Sequence, residues 1–404
     1  MNEAIHTNIQ VQFFTKQKKE FYFKKKKHQI GGDICIAQVI QLKNKKYIVF
    51  LNADAMEKSI QGAGGILVLG SVFQSIIQRT KNYPLESENY PEFWIKKAFK
   101  ELHKVFETFE GSMLVSMVLG LVEEKTGLVY YMNAEHPLVV LYRDGKASFL
   151  KERKLFNKLG HLGMDSEIFV STFQMLPGDQ LIIGSDGKDD FIVSKTELNR
   201  KINDDESIFL EKVEKTNGEI QKLYEVISSE FELIDDFSLL AINYPNDSNA
   251  FNHSEEVIQQ KIANAKFALE NPINKEEGLL LLDSLYSDYP NQEEVNKIII
   301  EYHTKHSNYQ KAKEIYSKFI QHSESSTEIL FLGSQLEKRI GNYEESIKIA
   351  ERVKLRDPNH LKNLIHLADL YLFTNNKERA RKIILKIKKI DPKHEKLKVL
   401  ESKL

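Results

Sequence analysis

The second half of the chain repeats itself at a fixed period, and this period is the strongest constraint on its fold. The step from Ala312 to Ser346 equals the step from Ser346 to Ala380, and the same step separates Tyr309 from Tyr343. Small residues at a fixed period let the two helices of a pair cross closely, and a proline after the second helix ends it. The pattern therefore predicts a row of helix pairs.

The clearest copy of the repeat carries the expected residue type at five positions: Leu367, Ala368, Tyr371, Ala380 and Pro392. In these residues and in its period, this copy resembles the tetratricopeptide repeat (TPR) family. The resemblance implies an all-α solenoid over residues 254–404 whose concave face binds a protein or peptide partner. Because the earlier copies are degenerate, an unrelated helical bundle is the alternative.

The chain changes character near residue 250. Before it, short β-rich runs are separated by turn pairs such as Asp144-Gly145, and helical spacing of apolar residues is found at 58–80, 91–107 and 206–229. The segment 245–253 has the composition of a linker. We therefore predict an α+β domain over residues 1–244, a linker over 245–253 and the helical repeat domain over 254–404.

Charge and cysteine content exclude several classes of protein. Lysine and arginine total 57 against 58 acidic residues, a formal net charge of -1, so no global field favours nucleic acid or an anionic membrane. Cys35 is the only cysteine, which excludes an internal disulfide and fits a reducing cytosol. The longest apolar runs are shorter than the roughly 20 residues of a membrane span. We expect a cytoplasmic protein without a membrane span.

Four acidic sites in the first domain follow or precede apolar β runs and adjoin small residues. They are centred on Asp33, Asp54, Asp186 and Asp235. Hard divalent cations prefer oxygen ligands, and a pair of such ions can activate water for phosphoryl displacement. Taken singly, each aspartate is more often a turn former or a helix cap. The hypothesis of a phosphoryl-transfer site therefore depends on the four carboxylates meeting in space.

The order of these segments resembles the SpoIIE/RsbU branch of the PPM (type 2C) metal-dependent serine/threonine phosphatases. The matching segments are Gly31-Gly32-Asp33, Asp54 before a long helix, Asn133-Ala134-Glu135-His136-Pro137, Leu159-Gly160, Ser185-Asp186-Gly187 and Asp235-Asp236. The resemblance covers residues 8–244. It implies an αββα sandwich, in which two antiparallel sheets lie between helical layers and the metals bind at the sheet edges.

The resemblance also implies a ligand set for two Mn²⁺ or Mg²⁺ ions. The residues at the family's ligand positions are Asp33, Asp54, Glu57, Asp186, Asp235 and Asp236. Asp33, Asp54, Asp186 and Asp235 form the catalytic core, Glu57 would contribute its backbone carbonyl, and Asp236 is the weaker candidate. In the family a metal-activated hydroxide attacks phosphorus directly, so no nucleophilic cysteine is needed and Cys35 is expected to pack inside a strand.

Two departures from the family pattern motivate a second hypothesis. Glu57 and Glu135 stand where the family has glycine. The alternative function is therefore a catalytically silent phosphatase-like scaffold that acts by protein binding through the TPR domain. His136 is interpreted mainly as a hydrogen-bonded packing residue, with a general acid for the leaving oxygen as the alternative.

The resemblance implies hydrolysis of phosphoserine or phosphothreonine on a partner protein. In relatives the substrates are commonly anti-sigma-factor antagonists of bacterial partner-switching pathways. The TPR domain would recruit the substrate or regulate activity.

Two further patterns are given structural interpretations. The basic cluster around Lys24–Lys27, interleaved with Phe21–Phe23, favours a solvated hairpin with inward-pointing aromatic residues over a nucleic-acid site. The glycine cluster at 62–65 lacks the lysine of a phosphate-binding loop and is assigned to close packing of a helix on a sheet.

Overall fold

The computed structural model describes residues 7–56, 60–151, 157–163, 167–195, 200–245, 255–270, 275–323 and 326–404. The chain divides into two compact units, Met1–Asp247 and Ser248–Leu404. Of the segment 245–253 that was predicted to be a linker, only residue 245 lies within the described residues.

Among the described residues, the strands belong to the first unit. They are β1 Gln10–Lys16, β2 Lys19–Phe23, β3 Lys26–Ile30, β4 Asp33–Leu42, β5 Lys45–Ala55, β6 Val115–Glu123, β7 Leu128–Ala134, β8 Val140–Arg143, β9 Lys146–Phe149, β10 Ser171–Gln174, β11 Gln180–Gly184, β12 Phe191–Lys195, β13 Arg200–Ile202, β14 Glu232–Leu233 and β15 Phe237–Asn243. The helices of this unit are α1 Ile60–Asn82, α2 Pro84–Ser87, α3 Pro91–Glu107, α4 Ser207–Lys215 and α5 Ile220–Glu230, and a 3₁₀ turn spans Asp186–Lys188.

Two antiparallel sheets form the centre of the first unit. Within the described ranges, one has the strand order β10-β7-β6-β5-β4 and the other β1-β15-β11-β8-β9. In β5, Tyr47, Val49 and Leu51 pack with α1 and α3, whereas Ile48 and Phe50 face the other sheet. Successive side chains of a strand point to opposite faces, so a strand buried on both faces is apolar throughout.

The far face of the second sheet is covered by α4 and α5. Phe209, Val213, Leu223 and Ile227 from these helices share a buried cluster with Leu239 of β15. The layer order is therefore helices, sheet, sheet, helices. This arrangement confirms the αββα sandwich.

The predicted helices of the first unit are present, with one difference. The structure places α3 at Pro91–Glu107, as predicted, and α1 at Ile60–Asn82. The single helix predicted over 206–229 is wrong, because the chain breaks between α4 and α5. Asn217 and Gly218 adopt positive φ angles of 51° and 71° there, which ends one helix before the next begins.

Among the described residues, helix α1 is the one element that is long and apolar enough for a membrane span; the mean hydropathy of its most apolar 18-residue stretch is 1.6. The sequence prediction did not anticipate this. A single such helix is weak evidence for a span, since the core helix of a soluble protein passes the same test. Leu69, Phe73 and Ile77 are fully buried in the core against the first sheet.

The glycines at the start of α1 support the packing interpretation of that cluster. A Cβ added to Gly65 would lie 2.5 Å from Met113 Sδ, so a larger residue there would require the Met113 side chain to shift. Gly64 on the exposed side has nothing within 4 Å of an added Cβ. A phosphate-binding loop is absent here, because the glycines lie inside the helix.

Within its described residues, the second unit is made of helices. They are α6 Glu255–Glu270, α7 Lys275–Asp288, α8 Glu293–Lys305, α9 Tyr309–His322, α10 Thr327–Ile340, α11 Tyr343–Arg356, α12 Leu361–Phe373, α13 Lys377–Ile390 and α14 Leu397–Ser402. The first residues of α7, α9, α11 and α13 are evenly spaced along the chain, and those of α8, α10 and α12 keep the same interval. Ala312, Ser346 and Ala380 are fully buried. The predicted run of helical repeats is confirmed.

The basic cluster forms the predicted hairpin, but its aromatic residues do not point inward. Strands β2 and β3 pair antiparallel, and the turn residues Lys24 and Lys25 have positive φ angles of 47° and 63°. Tyr22 is 75% exposed and Phe23 58% exposed. The inward orientation predicted for these rings is wrong, because the described structure provides no core beneath the hairpin.

Candidate metal centre

Strand pairing places Asp33 and Asp54 opposite each other. Asp33 is the first residue of β4 and is in register with Asp54 near the end of β5. A Cβ on Gly32 would lie 2.8 Å from the carbonyl oxygen of Ala55, so the glycine allows the two strand ends to approach. The Asp33 carboxylate is 4% exposed and accepts a 2.5 Å hydrogen bond from Ser185 Oγ.

The turn after β11 supplies Asp186. Gly187 is required there, because an added Cβ would lie 1.8 Å from the carbonyl oxygen of Asp236. This close approach brings Asp186 beside Asp235, which precedes β15. Carboxylate oxygens of Asp186, Asp190 and Asp235 all lie within 4.8 Å of one another.

Sequence reasoning missed Asp190 as a member of this cluster. Its backbone N–H donates to the carbonyl oxygen of Asp186 at 2.9 Å, so the 3₁₀ turn folds it back toward Asp186. The spacing of four residues in Asp186-Gly187-Lys188-Asp189-Asp190 was the available signal, since one helical turn places such residues on the same side.

The charges of Asp33, Asp186 and Asp235 all act on Asp54, so the aspartates from the strand pair and from the turn form one cluster. Burial raises the pKa of Asp54, and the charges of Asp33, Asp186 and Asp235 raise it further. Burial also raises the pKa of Asp33; hydrogen bonds from Ser185 and Ser238 oppose this shift. Like charges disfavour ionisation of neighbouring carboxylates. The structure thus brings together the four aspartates that the sequence singled out.

The donor set fits hard divalent cations. Asp33, Asp54, Asp186, Asp190 and Asp235 offer only carboxylate oxygens, the ligand type that Mg²⁺ and Mn²⁺ prefer. A bound cation would also offset the mutual repulsion that raises the pKa of Asp54, since an opposite charge favours the ionised form.

The two remaining ligand candidates are Glu57 and Asp236. Glu57 lies outside the described residues. The side chain of Asp236 is 5% exposed and accepts backbone hydrogen bonds from Lys18 N at 2.6 Å and from Gly32 N at 2.8 Å. Both of its oxygens therefore hold the two ends of the β2–β3 hairpin together.

A buried hydrogen-bond network links the two sheets. Asn52 of β5 donates to Ser238 Oγ of β15 at 3.0 Å, and its Oδ1 accepts from His136 Nε2 at 2.6 Å. His136 Nδ1 in turn accepts from Ser116 Oγ at 2.9 Å. Cys35 is partly buried in β4, the strand location that was predicted, and its Sγ accepts a hydrogen bond from Asn52 Nδ2 at 3.1 Å.

His136 has the properties of a packing residue. It is 6% exposed, and burial, followed by the charge of Lys188, lowers its pKa to about 3. Both ring nitrogens have partners when the ring is neutral, so the imidazole has no proton in excess at neutral pH. These observations favour the structural role over that of a general acid.

Glu135 stands at a backbone position suited to glycine. Its φ angle is +50°, in the left-handed region, and its side chain is exposed. The turn is held by Asn133, whose Oδ1 accepts from His136 N at 2.7 Å and whose Nδ2 donates to the carbonyl oxygen of His136 at 3.0 Å. The turn therefore forms despite the glutamate, at the cost of backbone strain.

Comparison with solved structures finds phosphatase domains at low identity. The RsbU and RsbW domains of a Mycobacterium tuberculosis protein are 15% identical over 64% of this chain and 67% of theirs, with a TM-score of 0.44. The SpoIIE phosphatase domain with a regulatory fragment from Bacillus subtilis is 13% identical over 59% of this chain and 63% of its own length, with a TM-score of 0.41. The SiaA-PP2C domain of Pseudomonas aeruginosa is 13% identical over 58% of this chain and 85% of that domain, with a TM-score of 0.42.

No curated protein matches the chain. Among family models, Stage II sporulation protein E (SpoIIE) matches residues 44–245, and a tetratricopeptide repeat model matches residues 341–404. The SpoIIE match contains Asp54, Asp186 and Asp235, whereas Asp33 precedes it. Since this match spans half of the chain, the protein belongs to the SpoIIE family of PPM-type phosphatase domains, here followed by TPR repeats.

Proposed function

We propose that the protein is a metal-dependent protein serine/threonine phosphatase. The substrate would be phosphoserine or phosphothreonine on a partner protein, with anti-sigma-factor antagonists as the candidate class. The observation that carries the proposal is the meeting of Asp33, Asp54, Asp186 and Asp235 at one edge of the sandwich. Folding alone does not explain why carboxylates so distant in sequence lie together, since their mutual repulsion destabilises the folded state.

In this proposal the four aspartates hold two Mn²⁺ or Mg²⁺ ions, and Asp190 is an additional ligand candidate. When bound, the ions supply a water of lowered pKa and stabilise charge on the phosphoryl oxygens. Ser185 Oγ orients the Asp33 carboxylate by its 2.5 Å hydrogen bond. His136 contributes by fixing Asn52 rather than by moving a proton.

Hydrolysis of p-nitrophenyl phosphate tests the proposal. We expect turnover that requires Mn²⁺ or Mg²⁺ and that falls at least about a hundred-fold in Asp186→Asn, because charge stabilisation at such a site is commonly worth 10²–10³ in rate. The matched control is Asp144→Asn, since Asp144 is exposed in the β8–β9 turn and asparagine tolerates its φ of 49°.

A second measurement does not depend on activity. Metal that binds only the folded state raises the unfolding temperature, and the rise should be lost in Asp186→Asn and kept in Asp144→Asn. Absence of both turnover and metal-induced stabilisation in the wild type would instead support the catalytically silent scaffold, which acts through its repeats.

The repeat unit offers a surface for the partner. A groove of about 700 Å³ lies between α10, α12 and the C-terminal segment that includes α14. Its lining contains four lysines and two carboxylates: Lys338, Lys362, Lys396, Lys403, Asp369 and Glu395. Asp369 pairs with Lys338 and Lys403. The excess positive charge supports an acidic peptide as the occupant, and we place the protein with its partner in the cytoplasm.

A further inference from the structure

The β2–β3 hairpin concentrates positive charge at one place on the first unit. The segment from Lys16 to Ile30 contains seven lysines and one acidic residue, Glu20. The chain as a whole carries -1, so the remainder is negative while this segment carries +6. Clustering like charges on one small hairpin does not assist its folding, since their repulsion is unfavourable.

Most of these lysines are not neutralised by the hairpin itself. Glu20 pairs with Lys16 at 2.6 Å and with Lys27 at 2.5 Å. Among the residues that the structure describes, no carboxylate lies within ion-pair distance of Lys24, Lys25 or Lys26. These ammonium groups are therefore available to an anionic partner.

The same hairpin exposes three adjacent aromatic rings. Phe21, Tyr22 and Phe23 are 42%, 75% and 58% exposed. Large apolar surface that remains exposed in this way is typical of interaction sites, and aromatic residues are enriched at protein interfaces. Phe21 stacks on His28 with ring centroids 5.5 Å apart, which stiffens the hairpin and limits the entropy lost on binding.

The base of the hairpin is attached to the acidic cluster. Gln17 Nε2 donates to the carbonyl oxygen of Asp33 at 2.9 Å, and Asp236 accepts from Lys18 N and Gly32 N. A Cβ on Gly31 would lie 1.9 Å from Gln17 Oε1, so the chain that leaves β3 passes close to the Gln17 side chain. The cationic hairpin thus begins and ends beside the candidate metal ligand Asp33.

We propose that the β2–β3 hairpin docks an acidic segment of the phosphorylated protein next to the phosphorylated residue. This inference rests on the proposed phosphatase function and names the sequence context of its substrate. The lysines at the turn would pair with Asp or Glu side chains, and the exposed rings would pack on neighbouring apolar atoms. Nucleic acid fits less well, because the rest of the chain is negative and would repel a long phosphate backbone.

The test compares two phosphoserine peptides, one with four glutamates beside the phosphoserine and one with four glutamines. The variant is Lys24→Asn combined with Lys25→Asn, since asparagine tolerates the left-handed backbone of both positions. The control is Lys100→Gln combined with Lys104→Gln, which removes two exposed lysines from α3.

We expect the wild type and the control to prefer the acidic peptide in kcat/KM. In the Lys24/Lys25 variant this preference should fall roughly five-fold at low salt, the effect of losing two exposed charge pairs. Hydrolysis of p-nitrophenyl phosphate should not change, because that substrate does not reach the hairpin turn. A preference for the acidic peptide that survives in the variant overturns the docking proposal.

Two further measurements separate the alternatives. Loss of binding to a single-stranded RNA in the variant, with the peptide preference intact, would assign the hairpin to nucleic acid instead. If the wild type hydrolyses no phosphate ester, the phosphatase function fails. Fluorescence anisotropy of the same labelled peptides then still decides the docking proposal, because it measures binding without turnover.

Discussion

Replacing His136 by glutamine separates its two candidate roles. In the folded protein the neutral ring donates to Asn52 and accepts from Ser116, and burial lowers its pKa to about 3. An acid catalyst would need a pKa near the working pH, whereas a packing residue stays neutral. The two roles therefore predict different dependences of stability on pH.

The expected magnitude follows from proton linkage. The ordinary pKa of histidine is 6.5, and the folded value for His136 is about 3. Between these values the unfolded chain binds a proton that the folded chain does not, so stability is lost as pH falls through this window. At pH 5 the loss attributable to His136 is about 2 kcal/mol, from about 1.36 kcal/mol per pH unit over the 1.5 units below 6.5.

Urea unfolding at pH 7.5 and pH 5.0 measures this effect. Trp94 is the only tryptophan and is 2% exposed in the core of the first unit, so its fluorescence reports on that unit. We expect His136→Gln to be less stable than the wild type at pH 7.5, and the gap to narrow by about 2 kcal/mol at pH 5.0. Ser116→Ala is the matched control, since it removes one hydrogen bond and keeps the histidine. A gap for His136→Gln that is the same at both pH values would refute the reasoning, because the ring would then take up a proton in the folded state.

Two pairs of substitutions test backbone features of the first unit. Gly65→Ala should be about 1 kcal/mol less stable than the wild type, because its Cβ would lie 2.5 Å from Met113 Sδ. Gly64→Ala has open space around its Cβ and should be up to about 1 kcal/mol more stable, because alanine has the higher helix propensity. Equal effects of the two substitutions on thermal unfolding would contradict the packing argument. Glu135→Gly should be about 1 kcal/mol more stable than the wild type, because the φ of +50° is strained for any residue with a Cβ, and Glu135→Ala should not share this gain. Equal stabilisation by both Glu135 variants would show that charge, rather than backbone strain, is responsible.

Local patterns predicted much of the secondary structure. Helix α3 begins and ends at the predicted residues, because its apolar residues keep a helical spacing between Pro91 and Glu107. The repeats were predictable for the same reason, since each helix pair contacts mainly its neighbours and carries its own copy of the pattern. Helices α9, α11 and α13 accordingly start at equal intervals, at Tyr309, Tyr343 and Lys377.

Prediction was weaker where a residue's role depends on distant parts of the chain. The ligand role of Asp236 stays a prediction; what the sequence did not reveal is that its carboxylate accepts hydrogen bonds from the backbone of Lys18 and Gly32, which lie far away at the other end of the domain sequence. Asp190 was missed because its neighbours in the sequence do not reveal that a 3₁₀ turn forms there, and this turn folds Asp190 back toward Asp186. The exposed ring of Tyr22 was misjudged because an aromatic strand pattern does not reveal whether a core lies beneath it.

By itself, the amino-acid sequence determined the helical period of the second half, the alternation of the strands and the identity of four aspartates beside small residues. Only the tertiary structure decided that these aspartates meet. Their meeting depends on the register of β4 against β5 and on the approach of Gly187 to Asp236. A strand slipped by one residue would turn its side chains to the opposite face, so contacts between distant segments, rather than local propensity, create the acidic cluster.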